Sequence, residues 1–397
     1  MEKTRIKGNV HYVGVNDRNK HRFEAMWPLP YGVSYNSYLI DDEMVALVDT
    51  VDICYFEVYL RKIKQVIGER PINYLIINHM EPDHSGSIRL IKQHYPEIII
   101  VGNKQTFGMI EGFYGVTGEQ YLVKDGDFFA LGRHKLRFYM TPMVHWPETM
   151  MTFDETDGVL FSGDGFGCFG TVDGGFLDTR INLDKYWGEM VRYYSNIVGK
   201  YGSPVQKALQ KLGGLPISAI CSTHGPVWTE NIARVIGIYD RLSRYDADEG
   251  VVIAYGSMYG NTEQMAEAIA EELSAQGIKN IVMHNVAKSH PSYIIADIFR
   301  YKGLIIGSPT YSNQIFPEVE SLLSKILVRE VKGRYLGYFG SFAWAGAAVK
   351  RMAEFAEKSK FELVGDPVEM KQAMRDITYT QCENLAHAMA ERLKKDR

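Results

Sequence analysis

Between residues 11 and 222 short apolar or β-branched runs alternate with polar or glycine-containing breaks. The runs are HYVGV from His11, NSYLI from Asn36, MVALVD from Met44, YLIIN from Tyr74, EIIIV from Glu97, LRFYM from Leu136, GVLFSGD from Gly158 and SAICS from Ser218. Each reads as a strand, with helices such as Phe56 to Gly68 interspersed. The charged stretch LSRYDADEG, Leu242 to Gly250, then gives way to the apolar run Val251–Tyr255, which places a domain boundary near residue 248. Beyond it the pattern changes. Strands at 251–255, 280–285, 303–307 and 335–340 alternate with helices at Asn261–Gln276, after Pro317 and through Ala345–Lys358. Such alternation predicts a doubly wound, mostly parallel sheet. The expected organisation is an α/β multidomain chain, with a strand-rich domain over 1–248 and a doubly wound domain over 249–397.

A chain of 397 residues exceeds one ordinary core, which agrees with two domains. Its 46% hydrophobic and 23% charged residues match a soluble globular protein. A net charge of -4 offers no basic field for a phosphate backbone, so nucleic acid is not an expected partner. The opening MEKTRIKGNVHYVGV lacks a signal-peptide core, and no stretch is long enough to span a bilayer. A cytoplasmic protein without membrane contact is expected. Cys54, Cys168, Cys221 and Cys382 form no CxxC pair, which reads as buried free thiols.

The strand ending at Asn78 delivers His79-Met80-Glu81-Pro82-Asp83-His84-Ser85-Gly86, four potential metal ligands within six residues. Read as an extended loop, residues 79, 81 and 83 share one side and His84 points towards a second ion. His145, Asp164 and His224 each follow another apolar run. Seven such residues brought to one rim by strand ends suit two ions with open positions, and Asp164 is the expected bridge.

The order HxExDH, then His, Asp and His resembles the metallo-β-lactamase fold as flavodiiron proteins use it. Zinc hydrolases of that fold usually carry His where Glu81 stands; a carboxylate there favours iron. The resemblance implies an αββα sandwich for 1–248, with two non-haem irons per chain. His79, Glu81 and His145 would bind one, Asp83, His84 and His224 the other, and Asp164 would bridge. It also draws attention to Tyr194, and to His21 for a further histidine that relatives place before the Tyr35–Tyr38 segment; Trp146, next to His145, is a candidate to line the metal pocket or to pack.

After the strand at 251–255, Gly256 leads into Ser257, Met258, Tyr259, Gly260, Asn261 and Thr262, which open a helix. Free N–H groups and the helix dipole make such a loop an anion site. It matches neither GxGxxG nor GxxxxGK[ST], which points to a monophosphate such as that of FMN. Two further strand-end loops carry Pro309, Thr310, Tyr311, Ser312 and Asn313, and Ser341, Phe342, Ala343, Trp344, Ala345 and Gly346. Three such loops describe a ligand crevice at the carboxyl edge of an open sheet. Together they resemble flavodoxin, which implies FMN enclosed by these residues, with Trp344 against the ring. Ala343 and Ala345 stand where relatives often have Gly or Ser.

The flavodiiron resemblance spans both domains, from Asn36 to the Trp344 loop. It implies an oxidoreductase that reduces O2 to water, NO to N2O, or both, with FMN relaying electrons from rubredoxin or a similar donor. A head-to-tail homodimer, or a tetramer formed from two such dimers, is implied with it. No cysteine-rich rubredoxin segment follows residue 346, so a separate donor is expected. Two alternatives stand beside this: a dizinc hydrolase whose flavodoxin-like half is regulatory, and a pure electron carrier.

Overall fold

The computed structural model describes residues 3–396. The chain forms two compact units, one built from the residues up to Tyr194 with Tyr201–Ser243, the other from Ser195–Lys200 with Arg244 onward. The short excursion of Ser195–Lys200 begins where the helix Asp184–Tyr193 widens into a π-helical turn, Tyr194–Val198.

In the first unit a seven-stranded sheet runs in the order Arg5–Lys7, Val10–Tyr12, Tyr38–Ile40, Ala46–Val48, Tyr74–Ile76, Ile99–Gly102, Gln120–Leu122. A five-stranded sheet follows the order Phe128–Ala130, Lys135–Met140, Met150–Asp154, Val159–Gly163, Ala219–Ser222. One apolar core joins side chains of both, among them Val48, Ile76, Phe138, Met150 and Phe161. Strands buried on both faces read as unbroken apolar runs, not as alternation, which is why 38–40 and 46–48 stood out in the sequence. The helix Phe56–Ile67 buries Phe56, Tyr59, Leu60, Ile63, Val66 and Ile67, the spacing of a one-sided helix.

Two parallel pairings position the site. Tyr74–Ile76 lies parallel to both Ala46–Val48 and Ile99–Gly102. In the other sheet Val159–Gly163 is parallel to Ala219–Ser222, so Asp164 and His224 leave at the same edge.

The second unit is a mostly parallel sheet in the order Ile281–Asn285, Asp248–Tyr255, Tyr301–Tyr311, Tyr335–Phe342, with Glu362–Leu363 and Val368–Lys371 both on the outer side of the last and the short Gln314–Ile315 antiparallel to the end of Tyr301–Tyr311. The helices Pro291–Arg300 and Asp376–Lys394, absent from the pattern reading, complete the layers. Leu385 and Met389 of the latter share a core with Met265 and Leu273 of Asn261–Ala275. Among the described residues no helix is long and apolar enough to cross a membrane. Cys168, Cys221 and Cys382 are buried free thiols, whereas Cys54 is exposed, because it lies in the surface turn Ile53–Tyr55 and not in a strand.

Candidate functional site

Asp49, at the end of Ala46–Val48, fixes the segment that carries the first histidine. Its carboxylate accepts bonds from the backbone N–H of Asn78 (2.8 Å) and His79 (3.4 Å) and from the Asn78 amide (3.1 Å). His79 Nε2 then faces His145 Nε2 at 3.3 Å, Glu81 Oε2 at 3.7 Å and Asp164 Oδ2 at 3.8 Å. His145 Nε2 lies 3.2 Å from Glu81 Oε2 and 3.0 Å from Asp164 Oδ2. Ligands about 2.0–2.2 Å from one ion stand roughly 3–3.5 Å apart. The four atoms therefore enclose one ion-sized gap.

Asp83 does not share a side with His79 and Glu81. Pro82 starts a helical turn, Pro82–Ser85, which ends the two-residue alternation and carries Asp83 and His84 to the other flank. There Asp83 Oδ2 is 3.3 Å from His224 Nε2 and Asp83 Oδ1 is 3.5 Å from His84 Nε2. Asp164 Oδ1 lies 3.1 Å from His84 Nε2 and 3.6 Å from His224 Nε2. One oxygen of Asp164 thus faces each set. Gly163 makes the turn into Asp164 with a φ of +54°, a backbone conformation that favours glycine.

The electrostatics call for cations. Three carboxylates, those of Glu81, Asp83 and Asp164, are buried together with four histidines. Burial opposes protonation of His145, yet the hydrogen-bonded Asp164 and Glu81 carboxylates raise it well above the ordinary imidazole range. His84 is likewise pushed up to about 10 by Asp83 and Asp164, against the cost of burial. Burial would lift Asp164, but the His84 charge and the bond from His145 hold it well below the usual carboxylate range. The Asp83 oxygens, His84 Nε2 and His224 Nε2 are buried and face ion-pair partners at 3.1–3.5 Å without well-aligned hydrogen bonds, and His84 Nδ1 is buried with no hydrogen-bond partner. Each such atom costs about 1–3 kcal/mol unless something binds it, and a pair of divalent ions fits this donor set.

Further residues, not visible as site residues in the sequence, orient these side chains. Glu148 Oε1 lies 2.6 Å from His79 Nδ1, and the Ser34 carbonyl 2.7 Å from His224 Nδ1. Thr223 Oγ1 donates to Asp164 Oδ1 at 2.5 Å. The spacing of Glu148, three residues past His145, was the one available signal. Tyr193 packs its ring 5.8 Å from that of His224, whereas Tyr194, singled out in the sequence, turns edge-on to Tyr239 because successive helical residues point about 100° apart. Trp146 packs edge-on against His79, with ring centres 5.3 Å apart. His21 is exposed. Glu24, three residues later, instead lines a cavity of about 590 Å³ with Phe23, Glu81, Asp83, Phe113 and Tyr114. Its carboxylate accepts a bond from Trp27 Nε1 at 2.9 Å; Glu24 is exposed as a residue, but desolvation of its carboxyl against the protein, and then the Glu81 charge, raise it above the usual range.

In the second unit a cavity of about 650 Å³ opens at the carboxyl edge of the sheet. Met258, Tyr259, Asn261, Pro309–Asn313 and Ser341–Ala345 line it, together with Gln372 and Ala373, which the sequence reading missed. Ser257, Gly260, Thr262 and Gly346 lie outside the lining. Ser257 Oγ accepts from Gly260 N–H at 3.1 Å, and Thr262 Oγ1 meets Ser341 Oγ at 2.8 Å, tying two of the three loops. Gly260, with φ +90°, caps the helix Asn261–Ala275. Tyr259 and Trp344 are 89% and 84% exposed, which leaves a large aromatic rim bare.

The comparisons agree with this two-part construction. Residues 33–225 match the profile of the ODP family beta lactamase, and residues 253–384 that of flavodoxin. The anaerobic nitric oxide reductase flavorubredoxin of Vibrio vulnificus is 33% identical over 368 residues, which are 90% of this chain and 73% of that protein. Rubredoxin oxygen:oxidoreductase from Desulfovibrio gigas superposes with a TM-score of 0.93 at 30% identity, covering 98% of this chain and 97% of that one. The flavodiiron protein from Giardia intestinalis gives 0.93 at 26% identity, over 98% and 95%. With both units matched in order, and a relative above 30% identity over most of each length, the chain belongs to the flavodiiron protein family.

Proposed function

We propose that the chain is an oxidoreductase that reduces O2 to water, NO to N2O, or both, with electrons from a rubredoxin-type donor. His79, Glu81 and His145 would hold one iron, Asp83, His84 and His224 a second, and Asp164 would bridge them. Ser257–Thr262 would hold the phosphate of FMN, and Pro309–Asn313 with Ser341–Gly346 its ring. The observation that carries this reading is Asp164, whose two oxygens face two separate histidine–carboxylate sets. When bound, the irons and the flavin would supply the electrons, and the protein supplies placement and protons.

The chain's own residues have defined tasks. Asp49 and Glu148 orient the His79 loop and ring, Thr223 orients Asp164, and Phe23 and Phe113 wall the cavity beside Glu81. Both reductions consume protons, and Glu24 at the cavity wall, its carboxyl raised above the usual range, is the chain's candidate for passing them. The bare Tyr259–Trp344 rim supports a head-to-tail homodimer, or a pair of such dimers, in which another subunit covers it. Four unpaired cysteines suit a reducing compartment, the cytoplasm.

Metal analysis with a visible spectrum tests the reading. About two irons and one FMN per chain are expected; zinc without flavin would sink it. Single-turnover reactions of the reduced protein with O2 and with NO then rank the substrates, and light scattering reports the assembly.

A further inference from the structure

The two ligand sets differ in what stands behind their histidines. His79 Nδ1 is 2.6 Å from Glu148 Oε1, and Glu148 is wholly buried. The same oxygen accepts the Met80 N–H at 2.8 Å, while Oε2 is buried without a hydrogen-bond partner. Met80 N–H also lies 3.0 Å from His79 Nδ1, but an ionised Glu148 can only accept, so the 2.6 Å contact places the proton on Nδ1 and leaves Nε2 towards Glu81, His145 and Asp164. In the other set His224 Nδ1 meets only the neutral Ser34 carbonyl at 2.7 Å, and His84 Nδ1 has no hydrogen-bond partner. Asp49 is also buried and its charge is felt by His84, but its oxygens accept the N–H groups of Asn78 and His79 and the Asn78 amide, so it is not hydrogen-bonded to a ring nitrogen as Glu148 is.

A carboxylate behind an imidazole makes that imidazole a stronger donor and adds negative charge within reach of the ion. Extra negative charge favours ferric over ferrous iron. We infer that Glu148 is a positioning residue that makes the two irons unequal: the ion held by His79, Glu81 and His145 is the harder to reduce, and it stays ferric when one electron has entered the pair. The inference rests on the diiron reading and adds an order of reduction to it. In the second set a carbonyl stands behind His224 and the Asp49 charge reaches His84 only through space, so the carboxylate hydrogen-bonded to a ring nitrogen is the difference in outer partners that Glu148 makes.

The test is an anaerobic redox titration of the iron-loaded protein, followed by EPR and Mössbauer spectroscopy, with Glu148→Gln and Glu148→Asp beside the parent. Glutamine keeps an oxygen acceptor of the same reach but removes the charge. Outer-partner changes alter metal affinity by about 10–100-fold. If that falls on the ferric form alone, one of the two midpoint potentials rises by about 60–120 mV, at 59 mV per decade for one electron. The other should stay in place with two irons still bound. Aspartate, which keeps the charge, should shift the same potential less. Two irons that titrate at one potential in the parent would overturn the inference. So would equal shifts of both potentials in Glu148→Gln, no shift, or loss of both ions from both variants. A parent protein that binds no iron fails earlier, at the metal analysis, and takes the diiron reading with it.

Discussion

Thr223 Oγ1 donates a 2.5 Å hydrogen bond to Asp164 Oδ1, the same oxygen that faces His84 and His224. Thr223 precedes His224 in the chain, so one backbone segment supplies both a ligand-type ring and the hydroxyl that aims the shared carboxylate. Thr223→Val keeps the shape and removes the donor. Hydrogen bonds to charged groups contribute about 1.5–3 kcal/mol, and outer-partner losses weaken metal binding roughly 10–100-fold. Denaturant unfolding of the metal-free variant and chelator competition on the loaded one measure the two effects.

Asp83 and Asp164 should differ in what their loss removes. Of the site's histidines among the described residues, Asp83 pairs with His84 and His224, whereas Asp164 pairs with both sets. Asp83→Ala is expected to retain about one iron per chain at limiting chelator, and Asp164→Ala to lose both. Metal quantification after dialysis decides; equal losses from the two variants would contradict the shared position of Asp164.

The metal-free protein should lose stability as pH rises. His84 is raised to about 10 from an unfolded value near 6.5, and His145 and His224 are raised as well. A group with a raised folded value binds its proton more tightly in the native state, so its stabilisation is full below pH ~6.5 and fades as pH approaches ~10. Thermal melts across that range should show Tm falling in metal-free protein. With metal bound, acid reverses the trend, because protons compete for the same nitrogens.

Trp344 is 84% exposed, so Trp344→Ala should leave the stability of the flavin-free protein within about 0.5 kcal/mol. Ring packing beyond area burial is worth about 0.5–1.5 kcal/mol, which corresponds to a roughly two- to tenfold loss of FMN affinity. Fluorescence titration with FMN reads this directly; a variant that binds FMN as the parent does would remove Trp344 from the site.

The strand ends were legible because buried strands need unbroken apolar runs, and His79, Asp164 and His224 stand directly beyond such runs. Asp83 was assigned to the wrong flank by the extended-loop reading, since one helical turn at Pro82 changes the direction of every later side chain. Glu148, Ser34, Asp49 and Thr223 left little trace, because each acts through a partner that is distant in sequence or through backbone geometry.

Local patterning determined which residue types would gather at the strand ends and that an anion loop would open the helix at Asn261, since these follow from side-chain burial and backbone donors within a few residues. Tertiary structure alone decided that Asp164 would face two sets at once, and that a buried carboxylate would stand behind His79 while a neutral carbonyl stands behind His224. Those relations depend on distances of about an ångström between chain segments up to 190 residues apart, set by sheet pairing and core packing and encoded in no single stretch of sequence.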